Sequence, residues 1–323
     1  MSNKSNNQGR AFEFACIKTL GAEISKYRTV TIVHNNSYEA AHRSWQAINN
    51  SLQNTLKLAA CSAVKTIFEL EPLIIEDGND ELSLKIQTDK EGIKGDVRDI
   101  LIIRRGIHWE IGLSIKHNNF AAKHSRLSRR SDFGFKWYGV SCSQEYWNSV
   151  NPVFANLQKE KTKGTYWEDL PNKMDDVYVP LLKAFMREIS LQSGKDATIP
   201  RKLVEYLLGK YDFYKVISKD KQRITQIQSF NLHGTLNKAT PANNPIIQIP
   251  IASLPTRIAH FDFVPDSKTT VEMFMDGGWQ FTFRLHNGED KVAPSLKFDV
   301  QIVGMPAAII SINCRWVNSI IND

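Results

Sequence analysis

Apolar residues recur along this chain with two different periods, and the places where the period changes divide it. From Gln8 to about Lys26, "QGRAFEFACIKTLGAEISK", Phe12, Ala15, Cys16 and Leu20 fall at helical spacing. A second helical region runs from about Tyr38 to Leu70, breaks near "NNSLQN" and stops at Pro72. Three strand-like runs follow, "ELSLKIQT", "DVRDILIIRR" and "IHWEIGLSIK". A polar, basic stretch from His117 to about Asp132 then reads as a loop. Helical patterns resume at "EYWNSVNPVFANLQKEK", "YVPLLKAFMREISLQ" and "IPRKLVEYLLGKY". From about Tyr211 the period is two: "DFYKVIS", "RITQIQSFN", "IIQIPIA", "TRIAHFDFV", "TVEMFMD", "WQFTFRLH" and "LKFDVQIVG" read as short strands. The expected class is α/β, with a mixed part over residues 1–210 and a mostly β part over residues 211–323.

One strand ends oddly. In "WEIGLSIK", Ile111, Leu113 and Ile115 line one face, and Glu110, Gly112, Ser114 and Lys116 line the other. Folding it against "DVRDILIIRR" about a turn at Arg105 and Gly106 sets Asp99 opposite Gly112 to Ser114, and Asp96 opposite roughly Lys116. Glu110 lies roughly 20 Å from Lys116 along an extended strand, at ~3.3 Å per residue, so it is a poor partner for that lysine. Carboxylates, a hydroxyl and an ammonium thus gather at one end of a ribbon. Mg²⁺ takes one or two carboxylates plus waters and substrate oxygens, and a neighbouring lysine can orient water and steady charge on a phosphate. Phosphodiester hydrolysis needs that combination. The plainer alternative is that Asp96 and Asp99 cap a strand whose last residue, Lys116, emerges into solvent.

Charge and cysteine usage narrow the class. With 41 Lys and Arg against 34 Asp and Glu, the net charge is +7, which suits a polyanion partner without proving one. Cys16, Cys61, Cys142 and Cys314 form no CxxC pair, so reduced thiols in a cytoplasm are expected. The start "MSNKSNNQGRAFEF" has no apolar signal core, and no apolar run is long enough for a bilayer, so no membrane partner is expected. Neither GxxxxGK[ST] nor GxGxxG occurs, which leaves ATP-driven chemistry unsupported.

The blocks "GDVRDILII" and "IGLSIKHNN" resemble the PD-(D/E)xK nuclease core, in which one carboxylate opens a strand and a D/E-x-K tripeptide ends the next. More specifically, "QGRAFEFA", "LSIKHNN", "AAKHSRLS", "DFGFKWYG" and "WQFTFRLHNGEDKVAPSLKFDVQIVG" resemble restriction endonucleases of the HaeIII type over essentially the whole chain. The resemblance implies a restriction-endonuclease-like fold, with a mixed sheet flanked by helices and a mostly β C-terminal region. It also implies Mg²⁺-dependent cleavage of double-stranded DNA at a GGCC palindrome, leaving 5′-phosphate ends. A methyltransferase would then act on the same site without needing to bind this protein. A palindrome suits a homodimer, although a monomer could cut the strands in turn.

Ser114 departs from the pattern, because the tripeptide here is S-x-K. Either Ser114 meets the metal through water, or another acid supplies the charge. The candidates are Asp96 and Glu13, since the resemblance implies a helix-borne glutamate facing the metal; otherwise Glu13 is a solvated residue on an amphipathic helix. The metal set is therefore Asp99 with Asp96 or Glu13, and Lys116 orients the water.

The basic stretch holds His117, Asn118, Asn119, Lys123, His124, Arg126, Arg129 and Arg130, expected at phosphates, with the asparagines at phosphates or base edges. His117 and His124 lack ligand spacing, so phosphate contact or packing is expected of them rather than metal binding. Arg284, His286, Asn287, Ser295 and Lys297 cluster at the tip of the last hairpin. Either that ribbon reads a groove, or it packs on its own domain with a polar turn. A non-cleaving DNA-recognition protein with a decayed site is the competing reading.

Overall fold

Residues 2–76, 80–88, 91, 95–118 and 121–317 are described by a computed structural model of the chain. The chain divides into two compact units that interleave in sequence. The first takes Met1–Phe120, Lys210–Ala252 and Ala307–Asp323, and the second takes Ala121–Gly209 and Ser253–Pro306. A single cut at residue 210 therefore misdescribes it. Main-chain pairing decides the division, because strands from late in the sequence complete the sheet begun by early ones.

The first unit holds helices α1 (Ser2–Ile24), α2 (Asn36–Gln46) and α3 (Asn50–Leu70) and a seven-stranded mixed sheet. Numbered in chain order, its strands are β1 (Val30–Val33), β2 (Leu82–Ile86), β3 (Ile100–Arg104), β4 (Trp109–His117), β6 (Phe213–Lys219), β7 (Ile224–Phe230) and β12 (Ser311–Arg315). Their spatial order is β1-β2-β3-β4-β6-β7-β12. Asn49 explains the break anticipated in the helical region. Its side chain accepts the Leu52 N–H at 2.9 Å and starts α3 afresh, as Asn35 starts α2 through Tyr38. Phe12, Cys16 and Leu20 of α1 and Ala60, Val64 and Ile67 of α3 bury themselves with Ile111, Leu113, Ile115, Tyr214 and Val216 of the sheet. One face of β4 is thus core, which leaves Gly112, Ser114 and Lys116 on the other.

The second unit holds β5 (Ala121–Ser128), β8 (Ile258–Phe263), β9 (Thr270–Met275), β10 (Gln280–Asn287) and β11 (Ser295–Gly304), all antiparallel in the order β5-β11-β10-β9-β8. Its helices are α4 (Phe133–Tyr138), α5 (Gln144–Lys163), α6 (Val179–Lys195) and α7 (Ile199–Leu208). Phe185 of α6 meets Phe298 at 4.7 Å and Phe283 at 5.5 Å between ring centroids, and Trp137 of α4 meets Phe283 at 6.1 Å. No helix among the described residues is long and apolar enough to cross a membrane.

Three expectations change. The basic stretch is largely the strand β5 and not a loop, because its ladder to β11 satisfies a backbone whose side chains are mostly polar. "IIQIPIA" is not a strand: Pro245 precedes it, Pro250 interrupts it, and Ile246 and Ile251 are exposed. The short edge strands β1 and β12 escaped notice, since so few residues carry little periodicity.

Glu71, at the end of α3, crosslinks the first unit. Its Oε1 accepts from Tyr214 Oη and from the Asn237 N–H, both at 2.6 Å, while Oε2 is buried without a partner. Burial dominates these donors, and its carboxyl is pushed up to about 7. A raised carboxyl pKa means the native state binds the proton more tightly than the unfolded chain. The stabilisation is complete below the unfolded value and is lost as pH rises through about 7. Glu71→Gln keeps the acceptor and removes the titration. Urea unfolding at pH 5 and pH 8 should show wild type losing about 3 kcal/mol relative to the variant, at 1.36 kcal/mol per pKa unit.

Candidate active site

The hairpin of β3 and β4 has the expected register, with Ile100 opposite Leu113 and Arg104 opposite Trp109. Asp99 stands one residue ahead of β3, where its N–H donates to the Leu113 carbonyl at 2.7 Å. Its Oδ2 accepts from the Ile115 N–H at 2.6 Å and from Lys116 Nζ at 3.1 Å, and more weakly from Ser114 Oγ at 3.4 Å. Ser114 is buried, whereas the side chains of Lys116 and Asp99 keep 29% and 26% exposure, so solvent and substrate reach the pair. Burial works against the charge on Lys116. Attraction and a hydrogen bond from Asp99, with a further contribution from Glu13 on α1, outweigh it and hold the ammonium above the usual lysine range. Asp99, Ser114 and Lys116 therefore come together, and Glu13 on α1 acts on the same ammonium through its charge.

Asp96 does not join them. Arg98, buried by the chain around it, donates from Nε and Nη2 to the two Asp96 oxygens at 2.8 Å each and from Nη1 to Glu110 at 2.9 Å. Gln87 Nε2 adds a bond to Asp96 at 2.6 Å. Burial raises the Asp96 pKa, but Arg98 and Gln87 more than offset it and keep the carboxylate below its usual range. A buried guanidinium needs a bidentate counter-charge, and Asp96 supplies it. The Arg98 guanidinium also lies 4.1 Å from the Tyr211 ring centroid. Its stem crosses β4 above Gly112, where a Cβ would come within 2.0 Å of Arg98 Cδ.

His117 and Asn118 are likewise turned inward. His117 Nε2 lies 2.6 Å from Asp220 Oδ2 with its side chain 7% exposed, and Ser218 Oγ donates to the other Asp220 oxygen. Asn118 Oδ1 accepts the Asp220 N–H at 3.1 Å, and its φ of +50° turns the chain out of β4. Phosphate or base contacts were expected at both residues, and the structure places them in a clamp on Asp220 that holds the end of β4. Asn119 lies outside the described residues.

The oxygens present suit a small hard cation. Among the described residues, all three contacts of the Asp99 side chain fall on Oδ2, which leaves Oδ1 for coordination, and Glu13 is a second carboxylate whose charge reaches Lys116. No group of three His, Cys, Asp or Glu residues gathers as a metal cage among the described residues.

Two residues were missed. Lys215 of β6 is the Cα partner of Ser114 in the parallel ladder and is 5% exposed. Burial first, and Lys116 second, push its ammonium down to about 8. A lysine inside the strand "FYKVIS" is the same oddity that singles out Lys116. Asp220 carried no signal, since its bond to His117 spans a hundred residues of sequence.

In the second unit the basic stretch and the last hairpin become neighbouring strands. Arg126 is opposite Lys297, which is opposite His286; His124 is opposite Asp299, which is opposite Arg284. Cross-strand partners share a face, so Arg126, Lys297, His286 and Arg284 lie together on the side away from Phe281, Phe283 and Phe298. Arg284 is exposed in mid-strand and not at the hairpin tip. At the tip, Asn287 Nδ2 donates to the Glu289 carbonyl, and Arg126 reaches Ser295 Oγ at 3.3 Å. Arg129 and Arg130 are exposed in the turn after β5. Lys123 and His124 are placed by register alone, their side chains lying outside the description. Arginine directly opposite lysine is unfavourable in a sheet unless an anion lies across the pair.

A family profile described as HaeIII restriction endonuclease matches residues 9–306. A curated relative, the Type II restriction enzyme HaeIII of Haemophilus aegyptius, is 49% identical over 317 residues, covering 98% of this chain and 99% of that protein. No solved structure matches the chain.

The packing of Arg98 on Gly112 gives a direct test. Gly112→Ala forces a methyl group into the Arg98 stem, whose Cβ lies 2.8 Å from the same point, so the backbone itself must shift. Thermal unfolding should show a loss of ~1–3 kcal/mol, the usual cost of overpacking.

Proposed function

Because the chain belongs to the HaeIII restriction endonuclease family, we propose that it is a Mg²⁺-dependent Type II restriction endonuclease with a PD-(D/E)xK-type core. On this reading it cuts both strands of duplex DNA at GGCC and leaves 5′-phosphate ends in the cytoplasm. The observation that carries the proposal is the Asp99 carboxylate, which bonds Lys116 and the Ile115 N–H through one oxygen while the other remains for coordination.

Asp99 Oδ1 and Glu13 would hold the ion, which supplies Lewis-acid stabilisation at the phosphate and lowers the pKa of a bound water. Lys116 acts as a charged donor. Held by Asp99, its Nζ steadies the attacking water and the phosphate oxygens. The Asp99 bond restrains Nζ, and the clamp of His117, Asn118 and Asp220 fixes the strand beneath it. Ser114 packs against Asp99 and adds no charge. On the second unit, Arg126, His286 and Lys297 engage phosphates, with Arg129 and Arg130 beside them, and exposed Arg284 is the reader of base edges.

Digestion of a sequenced plasmid with Mg²⁺ and with EDTA, followed by end mapping, tests the reading. GGCC cuts that EDTA abolishes are expected, and an intact plasmid in Mg²⁺ refutes cleavage. Asp99→Ala and Lys116→Ala should each lower the cleavage rate ~10²-fold or more while specific binding in Ca²⁺ persists. Glu13→Gln should be nearly as severe, whereas Asp96→Asn should cost stability more than turnover. If Asp96→Asn is as inactive as Asp99→Ala at equal folded fraction, the assignment of Glu13 over Asp96 is wrong.

Binding across a salt series separates positioning from reading. Arg126→Ala should weaken all duplexes alike and reduce the salt slope by ~0.9. Arg284→Ala should cost ~1–3 kcal/mol on the target and narrow its margin over single-mismatch sites. Equal losses on every duplex for Arg284→Ala would make that arginine a backbone contact.

A further inference from the structure

We propose that the β6–β7 turn and the edge strand β12 form a phosphate-binding rim, in which Lys221 and Arg315 hold the DNA backbone beyond the end of the recognised bases. The inference rests on the nuclease reading above and names a contact surface that reading does not use.

Register places the rim beside the cleavage site. Lys116 is the Cα partner of Ile217, Ile217 of Gln226, and Gln226 of Asn313. Cross-strand partners share a face of the sheet, and so do residues two apart in one strand. Arg315 of β12 therefore stands on the face of Lys116. Three strand spacings of ~4.8 Å and two residues of ~3.3 Å each put its Cα roughly 16 Å from that of Lys116.

Both parts of the rim are fixed in place. His117 Nε2 lies 2.6 Å from Asp220 Oδ2, the Asp220 N–H donates to Asn118 Oδ1 at 3.1 Å, and the Asn118 N–H donates to the Ser218 carbonyl at 2.9 Å. Lys221, the next residue, thus rides on a turn pinned to the end of β4. Beside Arg315, buried Trp316 donates its N–H to the Arg223 carbonyl at 3.1 Å and its indole N–H to Thr225 Oγ1 at 2.9 Å. These bonds lock β12 against the same turn.

The chemistry of the surface suits a polyanion. β6, β7 and β12 contain no aspartate or glutamate. Asp220, the one acid of the turn, is engaged by His117 and Ser218. Lys221 and Arg315 are exposed, next to exposed Asn313, whose Oδ1 accepts from Gln226 Nε2 at 3.1 Å. Lys219 and Arg223 interact within the fold and add to the positive field. Cations and amides without carboxylates match a phosphate backbone, which gives up counterions to them. A charge on an edge strand also deters sheet pairing, which would account for Arg315 alone; Lys221 lies in a turn, with no strand edge to guard.

Distance sets which phosphates are held. A four-base-pair target such as GGCC is ~14 Å long at ~3.4 Å per base pair. A contact roughly 16 Å from the scissile phosphate along the duplex falls past the end of that target, wherever within it the cut lies. The rim holds the flank and reads no base.

The test uses the full-length protein with Lys221→Ser, Arg315→Ser, the double variant and Arg315→Lys. Binding is measured in Ca²⁺ across a salt series, on duplexes whose target sits between long flanks or flanks trimmed to one base pair. On long flanks each serine variant should lower the salt slope by ~0.9 and the double variant by about twice that, while Arg315→Lys keeps the wild-type slope. The losses should be alike on target and single-mismatch duplexes. Trimming the flanks should lower the wild-type slope more than that of the double variant.

An unchanged slope in the double variant overturns the rim, and so does a loss by Arg315→Lys as large as that by Arg315→Ser. A double variant that melts lower and loses affinity equally on both flank lengths overturns it too, making the two residues structural. Wild-type protein that binds these duplexes but leaves the target uncut in Mg²⁺ overturns the nuclease reading and not the rim.

Discussion

One carboxylate oxygen holds the site together. Asp99 Oδ2 takes the Ile115 N–H, an amide on the edge of β4 where the β3 ladder has ended, and the same oxygen takes Lys116 Nζ. A buried amide needs an acceptor, and here the acceptor is also the group that restrains the Lys116 ammonium. Fold and chemistry share an atom. The bond turns the chain from the Arg98 clamp into β3 and sets Asp99 level with Ser114. Arg98 complements it by engaging both oxygens of Asp96, the acid three residues upstream.

The second unit applies a different constraint, that of like charges forced into register. Its inner face is fixed by aromatic packing around Phe185, Trp137 and Phe298, with Ser125 accepting the Trp137 indole N–H at 3.1 Å and bonded to Tyr206 at 3.0 Å. Once that face is set, the period of two leaves no freedom on the other, and Arg126, Lys297 and His286 must stand in a row. Basic residues far apart in sequence become one surface because apolar residues between them have nowhere else to go.

Much of the site was legible because it is local. The turn at Arg105 and Gly106 sets a register that can be counted, and counting places Asp99 by Ser114 and Lys116. Asp96 was misplaced because counting assumes the ladder continues, whereas the chain leaves it before Ile100 to let Arg98 cross Gly112. Lys215 and Asp220 reach the site from a strand about a hundred residues later, and no local pattern encodes that pairing. β5 hid because its outer face and much of its inner face are polar. In a strand whose partner supplies the apolar contacts, periodicity of its own is not required.

The interleaving of the units has a consequence for how the enzyme comes into being. β4 gains its second neighbour only when Phe213–Lys219 has been made, and the far edge of that sheet waits for Ser311–Arg315. At ~5–20 residues per second, the interval between Lys116 and Lys215 leaving the ribosome is on the order of ten seconds. Throughout it the nascent chain holds Asp99 and Lys116 on an unfinished sheet edge. The sheet that carries Asp99 and Lys116 is thus completed only in the nearly finished polypeptide, and a truncated translation product holds both residues on a sheet that lacks its later strands.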